Sequence, residues 1–137
     1  MHSKSAAIVA AARGCVGTRF RPLGRCSGLA LDCVGVALVA ARAAGVDDLT
    51  TPAYPMSGDN EDRVETVLQA CGCRPLGSEP PQPGDLIVVA PAPGRRHLAV
   101  VTDTGLVHAH AGLSRVVEAA ADPGWVPVSA WRLPDRH

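Results

Sequence analysis

Two hydrophobic periods divide this chain. Up to about residue 73 the apolar positions recur at helical spacing, and beyond residue 78 they form short runs or alternate with polar residues. Residues 3–13, SKSAAIVAAAR, read as a helix with Ser3 as a possible cap. LALDCVGVALVAARAAG, residues 29–45, is nearly all apolar and carries no charge from Val34 until Arg42. Asp32 suits the N-cap, because its carboxylate can accept hydrogen bonds from the first-turn N–H groups, and Gly45 suits the C-cap. The spacing therefore predicts a buried helix that starts at Cys33. Residues 59–70 predict a second amphipathic helix, with Val64, Val67 and Leu68 on one face and Glu61, Asp62, Arg63 and Glu65 on the other, ended by Gly72.

Glycine and proline punctuate the rest. GCVGTRFRPLGRCSG, residues 14–28, reads as a loop, and residues 47–58 as irregular. After the turn SEPPQPGD come five strand-like runs: 86–90, 97–103, 106–111, 114–120 and 125–134. The last holds Pro127, which cannot donate to a central ladder, so it is expected at an edge. Helices first and then an antiparallel meander predict the α+β class, with the N-terminal helices on one face of a five- to six-stranded antiparallel sheet. The chain has 137 residues, which suits one domain over 1–137.

Composition narrows the function. Apolar residues make up 47%, but there are only two Trp, one Tyr and one Phe, so the core must be Ala, Val and Leu in close packing. The formal net charge is zero and there is no basic run, which argues against a nucleic-acid partner or a charged membrane surface. Ala6–Ala12 is too short to cross a bilayer and lacks the features of a secretory signal, so neither membrane insertion nor an export signal is expected. Of the five cysteines, Cys71 and Cys73 have C-x-C spacing, which is not that of common structural zinc sites, and no metal or cofactor is expected. Cys15, Cys26, Cys71 and Cys73 read as core or loop thiols, able to form a disulfide only in an oxidising setting.

The candidate chemistry starts at Cys33. A cysteine in the first turn of a helix sits at the positive end of the dipole, which favours the thiolate and makes it nucleophilic. A thiolate works best with an imidazole that holds its proton and a third polar group that orients the imidazole. His97 opens one predicted strand, and His108 lies on the next, across a hairpin turning at Thr104-Gly105. If the sheet face that bears them packs on the N-terminal end of the Cys33 helix, a Cys–His–His line results. His110 competes with His108, because positions two apart share a strand face. Arg95 and Arg96 read either as solvated turn residues or as partners for a substrate carboxylate.

Four blocks, in order, are similar to motifs of the NlpC/P60 cysteine peptidases, papain-like enzymes that cleave bacterial cell-wall peptides. GTRFRPLG resembles the G-T-x-Y-x-x-G loop, LDCVG the D-C-S-G nucleophile motif, PQPGDLIVV the P-G-D-L strand, and HLAVVTDTGLVHAHAG the H-V-G-I-Y…G…H-A pair of strands. The resemblance implies Cys33 as nucleophile, His97 as base and His108 as third residue, with Phe20, Asp32 and His110 on the oxyanion and substrate side. It implies a peptidoglycan stem peptide as substrate. It also implies a phage-type or gene-transfer-agent branch, with tail-tip or baseplate proteins as partners and delivery by the particle to the cell wall.

This chain departs from the pattern at three positions: Val34 replaces a serine, Ala99 a glycine and Phe20 a tyrosine. Phe20 keeps the ring and lacks the hydroxyl, which leaves the oxyanion to backbone N–H groups, and loss of one such donor costs on the order of 100-fold in rate. A weakly active or inactive tail-tip or wall-binding module is therefore the alternative expectation, and a related thiol amidase or acyltransferase a second one.

Overall fold

Alternation in the second half of the chain builds one antiparallel sheet, and the Ala- and Val-rich helices close one of its faces. The structure is a computed structural model; it describes residues 3–19, 25–26, 30–31, 33–45, 63–70, 72–93, 96–110 and 113–134. The elements are α1 (Ser3–Arg13), β1 (Arg25–Cys26), β2 (Ala30–Leu31), α2 (Cys33–Ala43), α3 (Arg63–Ala70), β3 (Arg74–Pro75), β4 (Leu86–Ala90), β5 (His97–Val101), β6 (Leu106–His110), β7 (Arg115–Ala119) and β8 (Val126–Arg132). β1 and β2 pair as a small hairpin inside what reads in sequence as loop and lead-in. The other six strands form one sheet in the order β3-β8-β4-β5-β6-β7.

The helix ends follow local chemistry. α2 begins at Cys33, as the pattern predicts; Asp32, the expected cap, lies outside the described residues. At its other end Gly45 takes a φ of 84° and its N–H donates to the Arg42 carbonyl at 3.0 Å. A left-handed residue there costs glycine nothing, and it ends the helix. Gly72 does the same after α3, with a φ of 81°.

The core lies between the helices and one sheet face. Ile8 and Ala12 of α1, Val36, Ala37, Ala40 and Ala41 of α2, and Val64 and Leu68 of α3 pack with Leu86, Val88, Leu98, Val100, Val107, Ala109, Val116 and Trp131. Alanines on α2 let its backbone approach the sheet closely, which suits a chain short of aromatic side chains.

At one end of the strands, charged groups tie the layers together. Asp85, just before β4, is buried; its carboxylate accepts from Nε and Nη2 of Arg132, both at 2.9 Å, and from the Gln82 N–H at 2.8 Å. This parallel two-bond pairing locks β4 to β8. The preceding Gly84 has a φ of 94°, and an added Cβ would come within 3.1 Å of Ser5 Cα, so glycine is needed for the turn to lie against α1. The PGD motif is thus accounted for by packing and pairing.

Beside it, Glu118 of β7 accepts from Arg13 Nε at 3.0 Å and from the Thr102 and Thr104 hydroxyls, both at 2.8 Å. These hydrogen bonds, that of Arg13 foremost, pull the Glu118 carboxyl down to about 2. They fasten the end of α1 to the β5–β6 hairpin.

The structure corrects two details. β8 is not an edge strand along its whole length, because β3 pairs with it at Trp131 and Arg132. Pro127 is tolerated because β3 does not reach it and because the β4–β8 register shifts between Val88 and Val89, next to its partner Val89. β5 ends at Val101, two residues short of expectation, where Thr102 turns inward to Glu118. Among the described residues no helix is long and apolar enough to cross a membrane.

Two stability predictions follow from the charged end. Arg132→Ala leaves the buried Asp85 carboxylate short of its main donor and should cost about 2 kcal/mol in urea unfolding. Glu118 is held below its ordinary 4.5 in the folded chain, so its contribution is present above pH 4.5 and fades as pH falls toward about 2. Glu118→Gln should lower stability at neutral pH by about 1 kcal/mol and flatten that acid limb, as read by thermal melts across pH.

Candidate functional site

The site grows out of the β5–β6 hairpin. Its turn is closed by the Thr102 N–H donating to the Gly105 carbonyl at 2.9 Å, and by the Gly105 N–H donating back to the Thr102 hydroxyl at 2.9 Å. A Cβ on Gly105 would sit 2.8 Å from the Ala119 carbonyl oxygen, so only glycine lets this turn lie on the end of β7. The turn sets the register Val101↔Leu106 and Val100↔Val107.

Continued to the open end, this register would set His97 opposite His110. Instead His97 Nε2 lies 3.0 Å from His108 Nδ1, a diagonal hydrogen bond that shares one proton between two imidazoles. The rings meet edge to face, with centroids 5.0 Å apart. Diagonal neighbours on paired strands lie about 7–8 Å apart at Cα, within reach of ring side chains.

His108 is 3% exposed, and burial pushes its pKa below the ordinary histidine value, assisted by repulsion from His110. The neutral ring is thereby favoured at neutral pH. His110 shares the face, its centroid 5.9 Å from that of His108, but its Nδ1 accepts from the Leu113 N–H at 3.1 Å. It is engaged by the β6–β7 turn, and His108 is the partner of His97.

Sequence reasoning missed Trp125. Its indole lies edge to face with both imidazoles, centroids 5.3 Å from His97 and 5.0 Å from His108. The signal was the DPGW turn ahead of the last strand, read only as a strand start.

Alternation puts this group on the second face of the sheet. Leu98, Val100, Val107 and Ala109 join the helices in the core; His97, His108 and His110 alternate with them and point the other way. The sheet face that bears the histidines is therefore opposite the one on which the body of α2 packs, because Leu98 and Val107, each next to a histidine, take the core face. The expected meeting of that face with the N-terminal end of the Cys33 helix turns on side chains outside the described residues.

Cys33 is the first residue of α2, which packs against β5 and β6; its side chain lies outside the described residues, as do Phe20 and Asp32. Arg95 lies outside them too. Arg96 is not a solvated turn residue: its side chain is 12% exposed, and its Nε lies 3.9 Å from Glu65 of α3. Among the described residues no cluster of three His, Cys, Asp or Glu side chains is placed to hold a metal ion.

No family model matches the sequence, and no curated protein does. Solved structures do. RipD from Mycobacterium tuberculosis, described as a non-catalytic NlpC/p60 domain protein adapted to a peptidoglycan-binding function, matches with a TM-score of 0.66 at 17% identity, covering 98% of this chain and 100% of that one. This chain has the NlpC/P60 fold. The likeness concerns the α+β framework, with helices on a six-stranded antiparallel sheet. At this identity the likeness shows the NlpC/P60 fold and not the chemistry, which rests on the side chains of this chain.

The His108 environment makes a pH prediction. Its folded pKa lies below its ordinary 6.5, so as pH falls the unfolded chain takes up the proton first. The stabilisation is present above pH 6.5 and is lost as pH drops through the folded value. The melting temperature should therefore fall on acidification from neutrality, and His108→Asn should make that fall shallower. An equal slope in both proteins would contradict the assignment.

Proposed function

We propose that this chain acts on the peptide part of peptidoglycan as a thiol hydrolase, with Cys33 as nucleophile, His97 as base and His108 as the group that orients His97. The observation that carries this reading is the 3.0 Å hydrogen bond between His97 and His108, in a chain whose α2 starts with a cysteine. The bond occupies Nε2 of His97, so a proton taken from Cys33 would go to Nδ1. Because the pair sits on the second face of the sheet, Cys33 would meet His97 where β5 begins, at the end of the sheet and not across its face.

In the reaction, the Cys33 sulfur attacks the amide carbonyl and His97 hands the proton to the leaving amine. Water then cleaves the thioester, returning the thiol and leaving a carboxylic acid. The Cys33 N–H, free of an intrahelical partner at the first helical position, would donate to the oxyanion. A neutral His108 suits the role, since its Nδ1 can accept from the Nε2–H of His97, leaving Nδ1 of His97 to take the proton, without bringing a charge next to His97. Tail-tip partners and delivery by a particle belong to the same reading and rest on sequence resemblance alone.

A second reading is wall binding without catalysis. It is favoured by the description of RipD as non-catalytic and peptidoglycan-binding, and by Phe20 in place of a tyrosine hydroxyl. Purified cell-wall sacculi separate the two readings. Hydrolysis predicts release of peptide fragments by the wild type, and a loss of about 1000-fold in rate in Cys33→Ala and His97→Ala. At about pH 6–7, iodoacetamide should label Cys33 ahead of the other four thiols. Equal release from wild type and Cys33→Ala would remove the nucleophile, and sedimentation of both with sacculi without any release would establish the binding module.

A further inference from the structure

We propose that Trp125 is a positioning residue: the turn Asp122–Trp125 holds its indole against both imidazoles and keeps water from the His97–His108 hydrogen bond. This deepens the hydrolase reading and rests on it only for its catalytic consequence.

Three observations support it. First, the chain between β7 and β8 has to pass from one side of the sheet to the other, because β7 lies at the edge and β8 lies beyond β4. β7 ends at Ala119, the partner of Leu106, whereas β8 starts at Val126, the partner of Ala90, so residues 120–125 also run from one end of the strands to the other. The segment carries Trp125 to the end where His97 starts β5 and His110 ends β6.

Second, the turn is built to hold its last residue. The Trp125 N–H donates to the Asp122 carbonyl at 3.0 Å, and the Asp122 carboxylate accepts from the Gly124 N–H at 2.7 Å. Pro123 presets its own φ for this turn. Asp122 is turned onto its own backbone and does not offer its charge to the imidazoles.

Third, the indole makes edge-to-face contact with two rings at once, at 5.3 and 5.0 Å, while they meet each other at 5.0 Å. Three rings in mutual contact fix the angle of each. His108 is almost fully buried on the face opposite the helix-packed apolar core. Among the described residues, the other titratable groups that share this face near the pair are His110 on β6, Arg115, its partner on β7, and Arg19, which bridges to Arg115.

A hydrogen bond between two neutral imidazoles is worth little in water, because water competes for both nitrogens; away from water it holds its geometry. An apolar cover also brings no charge next to His97. For catalysis the consequence is one orientation of His97, with Nε2 committed to His108.

The test uses the full chain with nitrogen-15-labelled histidines, read by NMR. In the wild type the proton shared by His97 and His108 should be protected from solvent. Trp125→Ala should speed its exchange by about tenfold or more and raise the pH at which His108 titrates. Trp125→Phe, which retains a ring, should keep most of the protection. Asp122→Ala, on the exposed turn, should give an intermediate effect, and it serves if the Ala variant fails to fold. Unchanged exchange and titration in both Trp125→Ala and Asp122→Ala would overturn the proposal. These readings involve no substrate. If they come out as expected while Cys33→Ala digests wall as the wild type does, the cover stands and the hydrolase reading falls.

Discussion

One hydrogen bond between imidazoles on neighbouring strands organises the candidate site. It is not a product of simple strand pairing, since the register leads His97 toward His110. It exists because β5 and β6 pair closely only next to their turn, and because a diagonal reach suits a ring. The turn residues Thr102 and Gly105 therefore act on the site from the far end of the hairpin. A register slip of one residue would send both histidines into the helix-packed core and bring valines out.

The two ends of the sheet do different work. At the turn end, ion pairs and hydroxyls bind the layers: Asp85 with Arg132, and Glu118 with Arg13, Thr102 and Thr104. At the other end stand the imidazoles and Trp125. Between them the strands are apolar on the helix side, and Val89, Ala99 and Leu106 are buried on the second side as well. The other end carries the hydrogen-bonded imidazole pair, of which His108 is buried; orientation of such a pair depends on the shell that packs around it.

The NlpC/P60 fold is compatible with both cutting and holding, as fold and chemistry are separable. What bears on the choice is local: a cysteine at the first residue of α2 and an imidazole pair on the sheet. The PGD turn and the WRLP segment belong to the framework, since Asp85 and Arg132 are spent on each other and Gly84 on its approach to α1. These side chains thus serve packing and pairing at the opposite end of the strands from the imidazoles.

The linear pattern was enough for the elements that depend on neighbours in sequence. The period-3.6 stretch at 3–13, the helix beginning at Cys33 and the apolar run at 86–90 are where their residues predict, and the strands expected at 97–103 and 106–111 form over His97–Val101 and Leu106–His110. These rest on short-range propensity, capping and burial of one face, which a few consecutive residues determine. The histidines were legible as candidates for the same reason: they break an apolar alternation. Tertiary structure alone decided the rest. It joined His97 to His108 through a diagonal contact, and brought Trp125 back across the sheet. It let β3 cover part of β8 while sparing Pro127, and it gave the core face to Leu98 and Val107. Each of these depends on where strands distant in sequence come to lie, and no local pattern carries that information.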